Sequence, residues 1–126
     1  MTRPADASRR GVILFAHGSR DPLWRQPMEA VAARVRARAP DLDVACAYLE
    51  LNEPDLPSAV ALMAAAGIRA VAVVPMFLGT GKHAREDLPL LMARLREQHP
   101  DTDFVLQQAV GEDARVLDLL AAIALE

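Results

Sequence analysis

Short unbroken apolar runs alternate along the chain with longer stretches in which apolar residues recur every three or four positions. "GVILFA" (11–16) is apolar throughout, the pattern of a strand buried on both faces of a parallel sheet. Trp24, Met28, Val31 and Val35 then follow at helical steps, predicting a helix that runs to about Pro40, with Asp21 as N-cap and Pro22 in its first turn. "DVACAYLEL" (43–51) predicts a second strand. Asp55-Leu56-Pro57 opens a second helix whose inward face is Leu56, Val60 and Met63, closed by Gly67. "RAVAVVPMF" (69–77) is a third strand, and Asp87-Leu88-Pro89 marks the start of a third helix with Leu88, Leu91, Met92 and Leu95 inward. "DFVLQQ" (103–108) is a weaker fourth strand. "EDARVLDLLAAIALE" is a final helix, apolar nearly all round from Val116 to Leu125, so it is suited to cover more than one surface, a subunit interface included.

Strands alternating regularly with helices predict right-handed βαβ units and a parallel sheet covered on both faces. The expected fold is α/β: a three-layer αβα sandwich of flavodoxin-like form with a four-stranded parallel sheet in the order 2-1-3-4. A chain of 126 residues suits one domain. Residues 11–126 are expected to form it, with the polar "MTRPADASRR" (1–10) as a disordered tail. A formal charge of −3 removes the electrostatic case for nucleic acid or an anionic membrane. Cys46 is the single cysteine, which excludes an intrachain disulfide and a cysteine-based zinc site and fits a reducing cytoplasm. The run Val12–Ala16 is too short for a signal-peptide core, and no run is long enough to span a bilayer.

In an open parallel sheet, ligands bind beyond the carboxyl ends of the strands, near the switch point. His17 follows the first strand, Glu50 ends the second, and His83 is expected in the loop after the third. With the first strand between the other two, all three converge on one rim. Two imidazoles and a carboxylate can hold one divalent ion and leave positions open for a substrate. His99, before Pro100, belongs to the opposite rim and reads as structural, and Cys46 reads as a small buried hydrophobe. "GTGKH" imitates a phosphate-binding loop, but the template needs glycine where Met76 stands and a hydroxyl where His83 stands. Gly79 and Gly81 remain suited to bring backbone close to a flat ligand. "AHGSRDP" imitates the R-H-G-x-R-x-P signature of histidine phosphatases, but Ala16 replaces the arginine that clamps the phosphate. Ser19 lacks the nucleophile elbow of a serine hydrolase.

Taken together, "HGSRDP", "LELNEPDLPSAV" and "VVPMFLGTGKHAREDLP" resemble the small CbiX-type sirohydrochlorin chelatases, over roughly residues 11 to 111. The resemblance implies insertion of cobalt, nickel or iron into sirohydrochlorin, on routes to cobalamin or sirohaem-type products. It implies no permanently bound cofactor, the ion being a substrate, and it implies a homodimer. It matches His17 and His83 to the metal-handling histidines and Glu50 to an acidic residue of the second strand motif. Leu78, Gly79, Thr80, Gly81 and Lys82 match the substrate-contacting loop, with Glu53 a weaker candidate. Neutral imidazole both binds a divalent ion and receives a proton, so His17 is the expected base and ligand and His83 the second ligand. Glu50 is left with three roles: orienting an imidazole, accepting a proton, or completing the coordination. Arg20, Arg25, Lys82 and Arg85 flank the histidines and suit a polycarboxylate substrate. The competing reading is a metal carrier or sensor that uses the same histidines without catalysis.

Overall fold

The computed structural model describes residues 9–126. Four strands, β1 (Arg10–Ala16), β2 (Asp43–Tyr48), β3 (Ala70–Pro75) and β4 (Asp103–Leu106), pair in parallel in the order β2-β1-β3-β4. Helices α1 (Gln26–Arg38), α2 (Leu56–Ala65) and α3 (Lys82–Gln98) connect them. A 3-10 turn (Val110–Glu112) leads into the last helix, α4 (Ala114–Ala124). Strand order and direction are those the alternation predicts. Among the described residues, no helix is long and apolar enough to cross a membrane.

The two-residue period of the strands divides the core. Ile13, Phe15, Ala47, Val71, Val73 and Phe104 pack with Leu56, Val60 and Met63 of α2 and with Leu88, Met92 and Leu95 of α3. The other face joins Leu14, Ala16 and Tyr48 to Met28 and Ala32 of α1, with Val12, Val44, Cys46 and Val74 half-buried around them. Each fully buried aliphatic or aromatic side chain contributes about 1.5–3 kcal/mol, so the first cluster carries most of the stability.

Some boundaries differ from the expectation, each for a local reason. Asp55 does cap α2, its carboxylate accepting the Ser58 N–H at 2.8 Å. Asp21 caps a turn instead of a helix: it accepts the Leu23 N–H at 2.9 Å, and α1 begins later, at Gln26, with Pro27 in its first turn. Trp24 therefore sits in the turn, its ring 6.1 Å from that of Tyr48. Helix α3 starts at Lys82, with Gly81 as N-cap, so Pro89 is interior. The proline removes the bond to the Arg85 carbonyl, but both residues are exposed and water can serve that carbonyl. The early start buries Ala84 one turn before Leu88. Strand β2 ends at Tyr48 because Leu51 is left-handed (φ 68) and Asn52 N–H turns back onto the Glu50 carbonyl at 2.8 Å. Strands β3 and β4 stop short of their apolar runs, although Met76 and Gln107 N–H groups still reach Phe15 and Val73 carbonyls. Arg10 opens β1, and Arg9 pairs with Asp43 at 3.1 Å, so both belong to the domain. The rest of the expected tail, residues 1–8, lies outside the described residues.

Candidate functional site

Parallel strands bring every strand-to-helix connection to one edge, and three of these connections build the site. The loops after β1 and β2 are tied together by main-chain bonds. Leu49 N–H donates to the Ala16 carbonyl at 2.8 Å, and Glu50 N–H to the His17 carbonyl at 3.0 Å. Asn52 adds a side-chain bond, its Oδ1 accepting the Ser19 N–H at 2.7 Å. At Gly18 the backbone has φ +101, and a Cβ there would stand 1.7 Å from the Glu50 carbonyl oxygen. Only glycine lets the His17 loop approach this closely. The His17 ring then lies against Phe77, just past β3, with centroids 4.5 Å apart.

The third connection supplies His83. It occupies the first turn of α3 and not a loop, which corrects its expected setting. From there it lines a cleft of about 440 Å³ shared with Phe15 and Leu49, a size within the ~300–1,000 Å³ of small-molecule pockets. Asp87, Leu90, Leu91 and Arg94 line the same cleft. They follow His83 at helical steps, so one face of α3 carries an imidazole, a carboxylate, apolar contacts and a guanidinium in order. The sequence reading gave Asp87 and Leu91 structural places, as helix start and inward face, and did not single out Leu90 or Arg94, because the helix was expected to begin at Asp87; extending the period back to His83 puts all four on its face. Asn52 and Phe77 were missed for another reason, since their partners Ser19 and His17 are distant in sequence.

The structure brings His17 and Glu50 together through the backbone and sets His83 beside Leu49, the neighbour of Glu50. Among the described residues, no group of three or more His, Cys, Asp or Glu side chains is placed to hold a metal ion. The expected convergence of His17, Glu50 and His83 into one three-ligand set is therefore not formed within a single chain. Glu53 lines a different hollow, with Arg25, Arg36, Cys46 and Tyr48 on the α1 side, and shares no residue with the His83 cleft. The Arg85 guanidinium donates to the Thr80 carbonyl at 2.8 Å and so braces the loop. Lys82 pairs with Glu86 at 4.0 Å on the exposed first turn of α3. Leu78 and Arg20 are exposed, and Thr80 is half-buried. Gly79 and Gly81 differ from Gly18: a Cβ at either would meet nothing within 4 Å, so the protein's own packing does not require glycine there.

The remaining nucleophiles are quiet. Ser19 Oγ accepts the Asp21 N–H at 3.1 Å. Cys46 is half-buried, its Sγ donating to the Met28 carbonyl at 3.8 Å, and burial raises the thiol above its usual range. His99 caps the C-terminal end of α3 at the far rim, against Phe104.

The family model CbiX matches residues 11–126. The sirohydrochlorin cobaltochelatase of Methanopyrus kandleri is 36% identical, with 86% of this chain and 90% of that one covered. The sirohydrochlorin cobaltochelatase of Methanothermobacter thermautotrophicus is 28% identical, with 87% of each covered. A solved CbiX protein of cobalamin biosynthesis from Marinobacter aquaeolei VT8 superposes with a TM-score of 0.79 at 31% identity, covering 91% of this chain and 93% of that one. The sirohydrochlorin chelatase SirB of Bacillus subtilis, solved with cobalt, gives 0.76 at 25% identity, covering 90% of this chain and 49% of that one. Matched by its family model over nearly its whole length, this chain belongs to the CbiX family.

Proposed function

We propose that this protein is a sirohydrochlorin chelatase, a metal-inserting lyase that takes cobalt, with nickel and iron as alternative ions, in cobalamin or sirohaem-type biosynthesis. What supports the reading is that His17 and His83 both follow strands at the carboxyl edge of the sheet, His83 lining an apolar cleft, with a loop carrying two sterically unconstrained glycines between β3 and His83. Metallation exchanges two pyrrole protons for one divalent ion. His17 serves as base and ligand, held by the Gly18 turn and the Phe77 ring, and His83 as second ligand. Glu50, beside the His17 loop, relays protons or orients an imidazole. A site without three converging side chains holds its ion loosely and leaves positions for pyrrole nitrogens, which suits a metal that is substrate and not resident.

The macrocycle lies along the cleft. Its edge passes Leu78–Lys82, where Gly79 and Gly81 face open space that a ligand can occupy, since a Cβ at either meets no protein atom. Arg94, with Lys82 and Arg20, meets its carboxylates. A second copy of the chain supplies the other wall, since one copy offers a cleft open to solvent and SirB is about twice as long for the same fold. No resident cofactor is needed. A cytoplasmic setting is part of the reading, supported by a single, unpaired cysteine. The test is incubation of the purified protein with sirohydrochlorin and Co²⁺, followed by the absorbance of the metallated product. Conversion above the spontaneous rate, lost in His17→Ala, is expected. Ion binding without turnover would replace the proposal with a carrier or sensor.

A further inference from the structure

Among the described residues, no arginine, lysine or histidine pairs with the Asp87 carboxylate. Its neighbour Glu86 does have a partner, Lys82 at 4.0 Å. Helix geometry gives Asp87 no task either. Helix α3 begins at Lys82 and its first turn holds no acidic residue, so Asp87 stands in the second turn. The attraction of a helix N-terminus for negative charge fades within the first turn. Asp87 is exposed, and it lines the His83 cleft, whose walls are otherwise mostly apolar.

Its place relative to His83 is specific. The two lie four residues apart on one helix and line the same cleft. That spacing sets their Cβ atoms about 5–6 Å apart on one face. Imidazole nitrogen and carboxylate oxygen each hold a divalent transition ion at about 2.0–2.2 Å, so both side chains reach one ion between them. Two histidines of one helix share an ion at this same spacing in helical zinc motifs. Both side chains are exposed, so neither must be uncovered first. Further along the face come the apolar Leu90 and Leu91 and then Arg94, which is roughly 16 Å beyond His83 at ~1.5 Å per residue. A polycarboxylate ligand in the cleft meets Arg94 favourably and Asp87 unfavourably. A cation held at Asp87 reverses the second interaction.

We propose that Asp87 and His83 together capture the divalent ion, holding it at the His83 end of the cleft before the tetrapyrrole is seated. The capture site rests on the chelatase reading for the ion's destination and adds to it a ligand from the second turn of α3. Two donors leave about four positions of an octahedral ion for water and then for pyrrole nitrogens. One carboxylate also offsets part of the ion's charge without cancelling it. Such a site holds its ion weakly and reversibly, as a metal that is substrate requires. Both donors lie on one helix, so capture needs nothing from the His17 loop, and His17 stays available to take pyrrole protons.

The experiment titrates the full chain with Co²⁺ alone, read by calorimetry and by the visible absorption of the bound ion. Asp87→Asn keeps the side-chain shape and removes the charge, and it is expected to weaken binding at least about 10-fold. His83→Ala is expected to do the same. Both positions are exposed, so far-UV ellipticity and the unfolding midpoint should stay as they are. In the double variant the two losses are expected not to add, because one ion is shared. Fully additive losses would overturn the pair. Glu86→Gln is expected to leave Co²⁺ binding unchanged; an equal loss there would reduce the effect to the net charge of the helix and overturn the site. Turnover with sirohydrochlorin then separates this site from the chelatase reading. A KM for Co²⁺ raised at least about 10-fold in Asp87→Asn is expected. Unchanged Co²⁺ binding in that variant, with insertion intact, would overturn the capture site and leave the chelatase reading standing. Shared Co²⁺ binding without any insertion by the unsubstituted protein would overturn the chelatase reading and leave the site as that of a carrier.

Discussion

Val73 and Val105 stand on neighbouring strands of one sheet, yet Val73 is 0% exposed and Val105 58%. The difference lies in connectivity. The crossovers from β2 to β3 and from β3 to β4 both run over the Val73 side, so α2 and α3 seal it from edge to edge. Only the β1-to-β2 crossover runs over the other side, and α1 packs chiefly on β2 and β1, with Val74 of β3 half-buried at the margin of that cluster. A four-strand sheet in this order has one helix too few to close its second face. The chain makes that helix, α4, but does not place it there within one copy. Stability is therefore concentrated on one face, while the other leaves apolar residues such as Val105 exposed.

This contrast can be tested by substitution, beginning with the sealed face. Met92→Ala removes a side chain with 0% exposure and is expected to cost about 2–5 kcal/mol in denaturant unfolding. A loss under 1 kcal/mol would mean that the face is not packed as described. At the rim, Gly18→Ala is expected to cost at least about 1 kcal/mol and to depress metallation with it, since its φ and the Glu50 carbonyl both exclude a Cβ. Gly79→Ala should instead leave the unfolding midpoint unchanged and weaken only tetrapyrrole binding, measured by fluorescence titration. Asp55→Ala deletes the N-cap of α2 and is expected to cost about 1 kcal/mol by the same unfolding assay. On the open face, Val105→Thr should alter monomer stability by less than ~0.5 kcal/mol. A larger change under dilute conditions would show that this face is covered within one chain.

The smallest effect expected is with pH. The Arg115 guanidinium and N–H hold the Asp113 carboxyl down at about 2, below its ordinary 3.8. A depressed carboxylate stabilises the fold above its unfolded pKa and ceases to do so as the pH falls through the folded value. The protection factors of the α4 amides, that is, exchange relative to the intrinsic rate at each pH, should therefore be steady above pH 4 and fall between about 4 and 2, and Asp113→Asn should flatten that fall.

Element order and sheet direction were legible because each strand is a continuous apolar run and each helix repeats every three or four residues. Boundaries were less legible where prolines stand. Asp21-Pro22, Asp55-Leu56-Pro57 and Asp87-Leu88-Pro89 look alike as helix starts, but only Asp55 begins a helix. The burial of Ala84 against the core set the third start five residues earlier, and that is a tertiary energy which no local signal carries. At the rim, the strand-to-helix connections containing His17, Glu50 and His83 follow from the strand order. The stitching by Asn52, the Phe77 ring beneath His17 and the cleft face ending at Arg94 do not, because each joins residues far apart in the chain.

Alternating apolar period and turn chemistry by themselves determined a parallel α/β sheet and the edge on which its polar loops collect. Tertiary structure alone decided how near those loops approach, that among the described residues no three metal-binding side chains gather, and that no residue of the last helix is buried. The physical reason is range: periodicity is written in neighbours a few residues apart, whereas the closeness of two loops or the burial of a helix depends on what the rest of the chain already occupies.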